Sequence, residues 1–406
     1  PFRTVSARVR YEKGDLVIAD LNGRLNESLL REGRLEVADV QHERPLWDIL
    51  VDGDFDLQTL KEHKEIVFLP PDVLRTLDRV GPVAGRLSCR TWFRYDPEWP
   101  FPRTRKGLFL LQDCWIRQPE LHLPLLLDSA EIRIFEESEN RFRASGAWGR
   151  SRFEADGTFG GGDSVYSLRS ARIASWVHMN ETLSALFHGF EPPLAFEQPV
   201  STRLTLTREK EVWACNGRID LAGVTLRNDR VSMKPPGRED HISFDMQLGP
   251  GEHLVMRRVQ CRFRGSTLEL SGGYDLARKD LFTLEITAPE LDLADLGLRF
   301  REQGHPSSGI IRGRLKIMAS RLSPLSTLVL GRIRGEGIHA HLNRLPSPIT
   351  DGSFLLDFSG QSVRLEACRL CVGESRLEAE GVFEGWEEIT GRLDVHGEFL
   401  DIADFL

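Results

Sequence analysis

The chain has 406 residues, of which 40% are apolar and 28% charged, and its formal net charge is −8. This composition suits a folded protein and excludes a disordered one, and with acidic and basic residues interspersed there is no basic block to bind nucleic acid. No stretch approaches the ~18 consecutive apolar residues of a membrane-spanning helix; the longest cluster, Leu121 to Leu127, is interrupted by Pro124.

The sequence opens at Pro1 without a signal-peptide pattern. It reads as a piece of a longer protein, with any anchor or export signal lying outside it. Six cysteines (Cys89, Cys114, Cys215, Cys261, Cys368, Cys371) are too few and too scattered for a disulfide scaffold.

In chain order, a partial unit over 1–62 ends in Val51-Asp-Gly-Asp-Phe-Asp-Leu-Gln-Thr-Leu60. A helix is expected over Pro70 to Arg79. The unit 63–180 opens at Gly85-Arg-Leu and carries an aromatic turn insertion, Asp96 to Pro102, near Trp92, Trp99 and Trp115. Asp128-Ser129 is read as a turn. The next unit, 181–297, starts with a helix over Glu181 to Phe187 and then Thr202-Arg-Leu, with Gly217-Arg-Ile starting a later strand. The last unit, 298–406, contains Gly313-Arg-Leu, Gly331-Arg-Ile at a strand start and a turn at Asp351-Gly352. Weaker helical turns are read near Ala294 to Arg301 and Pro324 to Leu330. Almost everything else alternates apolar and polar residues with period two, the signature of half-buried strands. Leu315 and Ile317 face away from Arg314 and Lys316; Phe354, Leu356 and Phe358 face away from Ser353 and Asp357.

Self-comparison gives the strongest signal. Ser266-Thr-Leu-Glu-Leu-Ser-Gly-Gly-Tyr274 matches Ser375-Arg-Leu-Glu-Ala-Glu-Gly-Val-Phe383, and from Leu268 onward the offset is a constant 109 residues. It ends by pairing Leu291-Asp-Leu-Ala-Asp-Leu296 with Leu400-Asp-Ile-Ala-Asp-Phe405. Ser151 to Phe159 is a third copy. The fold class is therefore all-β: an elongated, twisted, mostly antiparallel sheet of repeated units forming an open groove, with few short helices. At ~4.8 Å between strands, about 20 strands would extend on the order of 100 Å. One face is charged and the other lined by Leu, Ile, Val and Phe. Helices are too scarce to cover the apolar face, so it is closed by a sandwich, closed by a barrel, or left as an open groove.

No constellation points to catalysis, and a non-enzymatic protein without cofactor or metal is expected. Cys368-Arg-Leu-Cys371 lacks the second pair a zinc site wants, and on a strand its thiols point to opposite faces. His339-Ala-His341 has no third ligand nearby. Asp292/Asp295 and Asp401/Asp404 recur where a strand meets a short helix and suit capping. Gly160-Gly-Gly-Asp163 matches no phosphate-binding loop.

The closing Leu-Asp-Leu/Ile-Ala-Asp-Leu/Phe element resembles the AsmA-like family of Gram-negative envelope proteins, the group of AsmA, TamB and YhdP. So do Asp351-Gly-Ser-Phe-Leu-Leu-Asp-Phe-Ser-Gly-Gln-Ser-Val-Arg-Leu365 and Gly373-Glu-Ser-Arg-Leu-Glu-Ala-Glu-Gly381. The likeness covers nearly the whole chain and is best over 240–406. It implies a periplasmic location, an inner-membrane anchor outside this sequence, and a repeating β-groove along which phospholipids move between inner and outer membranes. It brings no catalytic residues. The expected partners are phospholipid acyl chains, the two membranes and other envelope proteins. The expected lining is Phe282, Leu284, Ile286, Leu315, Ile317, Ile333, Ile338, Phe354, Leu356, Phe358, Leu365, Leu377, Phe383, Leu393 and Val395. The competing reading is a structural scaffold whose sheet packs on itself.

Overall fold

The structure is a computed structural model that describes residues 3–63, 81–98, 103–117, 123–135, 139–161, 166–186, 194–235, 237–249, 253–275, 281–300, 305–320, 323–342, 345–386 and 388–405. The chain forms two compact units, 1–177 with 181–190, and 178–180 with 191–406.

The first unit contains β1 (Arg3–Glu12), β2 (Asp15–Leu25), β3 (Ser28–Ala38), β4 (Leu46–Asp56), a helix (Leu57–Glu62), and β5 (Val83–Tyr95). It continues with β6 (Arg103–Ile116), β7 (Leu125–Ile134), β8 (Asn140–Trp148), β9 (Ser151–Gly161) and β10 (Tyr166–Val177). Each strand pairs antiparallel with the next in sequence, a meander built from local hairpins. Asp56 caps the helix by accepting from the Thr59 N–H at 2.7 Å.

The second unit contains β11 (Ala195–Phe196), β12 (Val200–Glu209), β13 (Val212–Asp220), β14 (Leu226–Arg227), β15 (Ser232–Met233), β16 (His241–Leu248) and β17 (His253–Phe263). Then come β18 (Ser266–Asp275), β19 (Leu281–Asp292), β20 (Leu298–Arg299), β21 (Ser308–Ser320) and β22 (Ser323–Ala340). It ends with β23 (Ile349–Gly360), β24 (Ser362–Val372), β25 (Ser375–Glu384) and β26 (Thr390–Phe399). The long strands again form an antiparallel meander, in which β13 pairs β16 and β19 pairs β21 across the short segments between them. The two-residue strands β11, β14, β15 and β20 make a separate small sheet. Among the described residues β1 has only β2 as a registered partner and β26 only β25, so the sheet is open and not a barrel.

Several expected boundaries are corrected. Pro324 to Leu330 is not a helical turn but part of β22, where Leu328 and Leu330 stand opposite Met318 and Lys316. Ala294 to Arg301 is helical only at its start, in the helix Leu293–Leu296, after which the chain becomes β20. The expected helix Glu181 to Phe187 is present as Met179–Leu186. Asp128-Ser129 and Asp351-Gly352 are not turns. They lie inside β7 and β23 at register shifts, and Asp351 takes a positive φ of 52°. Gly217 and Gly331 do not start strands either. Both are mid-strand, paired with Phe244 and Phe358, and a methyl at Gly217 would run into the Phe244 ring. Glycine at 217 makes room for an aromatic neighbour, whereas at Gly331, with a φ of 133°, it lets the Arg314 carbonyl come close. The expected helix Pro70 to Arg79, together with Trp99, lies outside the described residues.

Candidate functional site

Ladder register fixes which side chains share a face, because directly paired residues point the same way. In the second unit, Phe282, Leu284 and Ile286 pair with Ala319, Ile317 and Leu315. Leu315 and Ile317 pair with Gly331 and Val329, and Ile333 with Gly313. Phe354, Leu356, Phe358 and Gly352 pair with Gly335, Ile333, Gly331 and Ile338. Leu356 also pairs with Leu365, which pairs with Gly381; Val363 pairs with Phe383 and Leu370 with Leu377. Leu393 pairs with Gly381 and Val395 with Ala379. Every residue expected in the lining therefore lies on one face of the sheet.

Among the described residues no layer covers the centre of that face. Phe282, Leu284, Ile286, Leu315, Ile317, Phe354, Leu356 and Phe358 are partly exposed, and at the last strand Leu393 is 49% and Val395 51% exposed. Side chains in the middle of a sandwich would be buried. The face carries aromatic rings set over glycines: Gly335, like Gly217, has its neighbour's ring where a Cβ would go, here that of Phe354. Phe358 also stacks on Trp386, with ring centroids 6.5 Å apart.

The opposite face carries cross-strand ion pairs. Arg314 reaches Glu285 at 2.8 Å, Arg312 reaches Glu336 at 2.7 Å and Glu290 at 3.0 Å, and Arg332 reaches Asp357 at 2.7 Å. The Arg314 hydrogen bond holds the Glu285 carboxyl below the usual carboxylate range. Exposed pairs of this kind contribute little each and mainly keep that face wet. The first unit has the same two-sidedness. Ile49, Val51 and Phe55 pair with Phe93, Thr91 and Leu87, whereas Asp48 and Arg94 meet at 3.0 Å on the other side.

One set of strand ends in the second unit is closed. Leu221, Cys261, Phe263, Ala288 and Leu291 form a buried cluster, and Phe196, Met233 and Leu296 pack against it from the small sheet and its helix. A serine–aspartate clasp recurs at these ends. Ser266 Oγ accepts from the Asp292 N–H at 2.9 Å and donates to Asp295 at 2.7 Å. Ser375 Oγ accepts from the Asp401 N–H at 2.9 Å and donates to Asp404 at 2.8 Å. Asp292 and Asp401 each cap the short helix that follows, through the N–H groups of Ala294 and Ala403. Both aspartate pairs are thus caps and clasps. Asp404 also accepts from the N–H groups of Glu374 and Ser375. Its carboxyl is held below the ordinary range, chiefly by the Ser375 hydroxyl. In the first unit Ser28 Oγ accepts from the Asp56 N–H at 3.0 Å. Sequence comparison aligned Ser151, Ser266 and Ser375 but missed Ser28, because the residues after it, Leu29-Leu-Arg-Glu-Gly33, place their glycine one position earlier.

The remaining candidates stay bland. All six thiols are free. Cys368 pairs with Phe354 on the apolar face, and three residues on, Cys371 points the other way. Burial pushes Cys89 up to about 12 and Cys261 up to about 11. His341 sits 5.9 Å from the His305 ring, yet among the described residues no group of three or more His, Cys, Asp or Glu is placed to hold a metal. Trp92 lies on the charged face beneath Arg90. No helix among the described residues is long and apolar enough to cross a membrane.

The sequence reading stopped the lining short. Phe244 and Met246 on β16, Met256 on β17 and Leu270 and Tyr274 on β18 belong to the same face by register. Their period-two alternation was as legible as that of β21. No family model, curated protein or solved structure matches the chain.

Proposed function

We propose that this chain is part of a non-enzymatic phospholipid carrier of the AsmA-like kind, working in the periplasm and held to the inner membrane by a segment outside these residues. The observation that carries the reading is the open apolar face of the second unit, whose side chains from Leu204 on β12 to Val395 on β26 share one side of the sheet without a covering layer at their centres. A contiguous uncovered apolar face of this extent calls for an occupant. An acyl chain supplies one without specific polar contacts. Each buried methylene is worth about 0.8 kcal/mol, and neighbouring strands offer near-equivalent seats, so a chain shifts from one to the next at little cost. The charged face, laced by Arg–Glu and Arg–Asp pairs, stays in water. Movement of phospholipid between the inner and outer membranes follows as the role of the longer protein, in support of outer-membrane biogenesis.

The test is to purify the chain without detergent, extract it with organic solvent and measure phospholipid by mass spectrometry. Stoichiometric phospholipid is the expected result. A folded, lipid-free protein would refute the reading and favour a scaffold for other envelope proteins.

A further inference from the structure

We propose that the small sheet β11–β14–β15–β20 is a fixed stop along one rim of the apolar face, so that a bound amphiphile lies with its tail ends at that rim and its headgroup at the opposite strand ends. This rests on the lipid-carrier reading above.

The strands alternate in direction. The C-terminal ends of β13, β17 and β19 and the N-terminal ends of β16, β18 and β21 therefore share one rim. Most main-sheet residues of the buried cluster and its surround lie toward that rim, Ile219, Ile242, Cys261, Phe263, Leu268, Leu291 and Ile311, with Ala288 and Leu270 nearer mid-strand. Phe196, Met233 and Leu296 pack on them from the small sheet and its helix. On β16 and β17 exposure rises away from the stop. On β17, Phe263 is 5% and Cys261 9% exposed, while Met256 and Leu254 are only partly buried; at the far end of β16, Leu248 is 41% exposed. Over β16 and β17 one rim is therefore dry and the other wet.

The stop is anchored from several directions. The Asn180 side chain donates to the Phe196 carbonyl and accepts from its N–H, both at 2.9 Å. Thr225 N–H donates to Gln198 at 2.7 Å, and Glu197 N–H to the Thr225 carbonyl at 2.9 Å. Asp240, 1% exposed, accepts from the N–H groups of Gly237 and Arg264, tying the connection after β15 to the turn between β17 and β18. A wall held this way does not yield to a charged headgroup, which would have to leave water among Leu221, Phe263 and Leu291. A methyl terminus meets no such penalty.

The experiment uses the full chain and two phosphatidylcholine probes delivered in vesicles, one with a diazirine at the end of an acyl chain and one with a diazirine on the headgroup. After photolysis, labelled peptides are mapped by mass spectrometry. The expected result is that the tail-end probe labels peptides bearing Phe196, Leu221 and Met233 several-fold more than those bearing Trp213, Leu248 and Leu254, with the reverse preference for the headgroup probe. Equal labelling of both rims, or headgroup labelling at the stop, would overturn the proposed orientation while leaving the carrier reading standing. Absence of labelling anywhere on the apolar face would overturn both.

Discussion

Leu356 stands mid-lining on β23, between Ile333 and Leu365, and is partly exposed. Replacing it with aspartate separates an open face from a packed one. Full burial of a leucine is worth about 1.5–3 kcal/mol, so a half-buried one contributes roughly half of that. Because no described residue lies over the centre of the face, the new carboxylate keeps its water, and Leu356→Asp should cost the fold about 1–2 kcal/mol. In a closed sandwich the same carboxylate would be buried unpaired and cost several kcal/mol more. A chain lying across this position loses contact for roughly three to five methylenes at about 0.8 kcal/mol each. Affinity at this seat should then fall by roughly 50- to 700-fold, and phospholipid per chain should fall with it. Leu355→Asp is the matched control, since Leu355 pairs with Arg334 on the charged face. Circular dichroism melts and phospholipid per chain by mass spectrometry would be read on both variants. Undiminished lipid in a folded Leu356→Asp protein would refute the carrier argument. Unfolding of Leu356→Asp alone, with Leu355→Asp intact, would refute the open face.

The remaining predictions concern the frame that holds the face. Gly217→Ala should destabilise the chain by about 1–3 kcal/mol in denaturant titration, since its methyl would displace the Phe244 ring, and adding Phe244→Leu should recover part of the loss; additive effects would count against the ring-over-glycine account. Ser375→Ala removes the hydroxyl that joins Asp401 to Asp404 and should cost about 1–3 kcal/mol. With its folded pKa depressed, Asp404 adds stability that is fully present above the ordinary carboxyl value of about 3.9 and fades as the pH falls through the folded value. Wild type should therefore lose more stability than Asp404→Asn between pH 5 and the acid limit, and parallel acid titrations of the two would argue against the clasp. Cys89, 7% exposed and pushed up to about 12, should resist iodoacetamide at pH 8 until the chain unfolds, as followed by intact-mass measurement with and without denaturant; prompt alkylation of the native protein would contradict its burial.

Period-two alternation made the strands and the common face legible in the sequence. Leu315 and Ile317 against Arg314 and Lys316 specify a two-sided strand wherever the partner lies, and repetition of that pattern specifies a sheet. Alternation is silent on what a glycine does. In isolation Gly217-Arg-Ile and Gly331-Arg-Ile look like strand starts; only the facing Phe244 shows that the missing side chain at Gly217 leaves space for a ring, and only the Arg314 backbone shows that Gly331 permits a close strand approach at positive φ. It is equally silent on two-residue strands. Phe196 and Met233 sit in segments too short to show any period, and their hydrogen-bond partners are distant in sequence, so the sheet that closes one rim emerges only from tertiary contacts. The same limit explains why a sandwich and a barrel stay open as alternatives to the groove that the constant repeat offset favours. All three present identical alternation, and they differ in whether the first and last strands of the meander find further partners and whether the apolar face finds a second layer. Among the described residues the second layer lies along one rim of the second unit. Its position turns a uniformly apolar face into one with a dry side and a wet side, and an amphiphile distinguishes between those two sides.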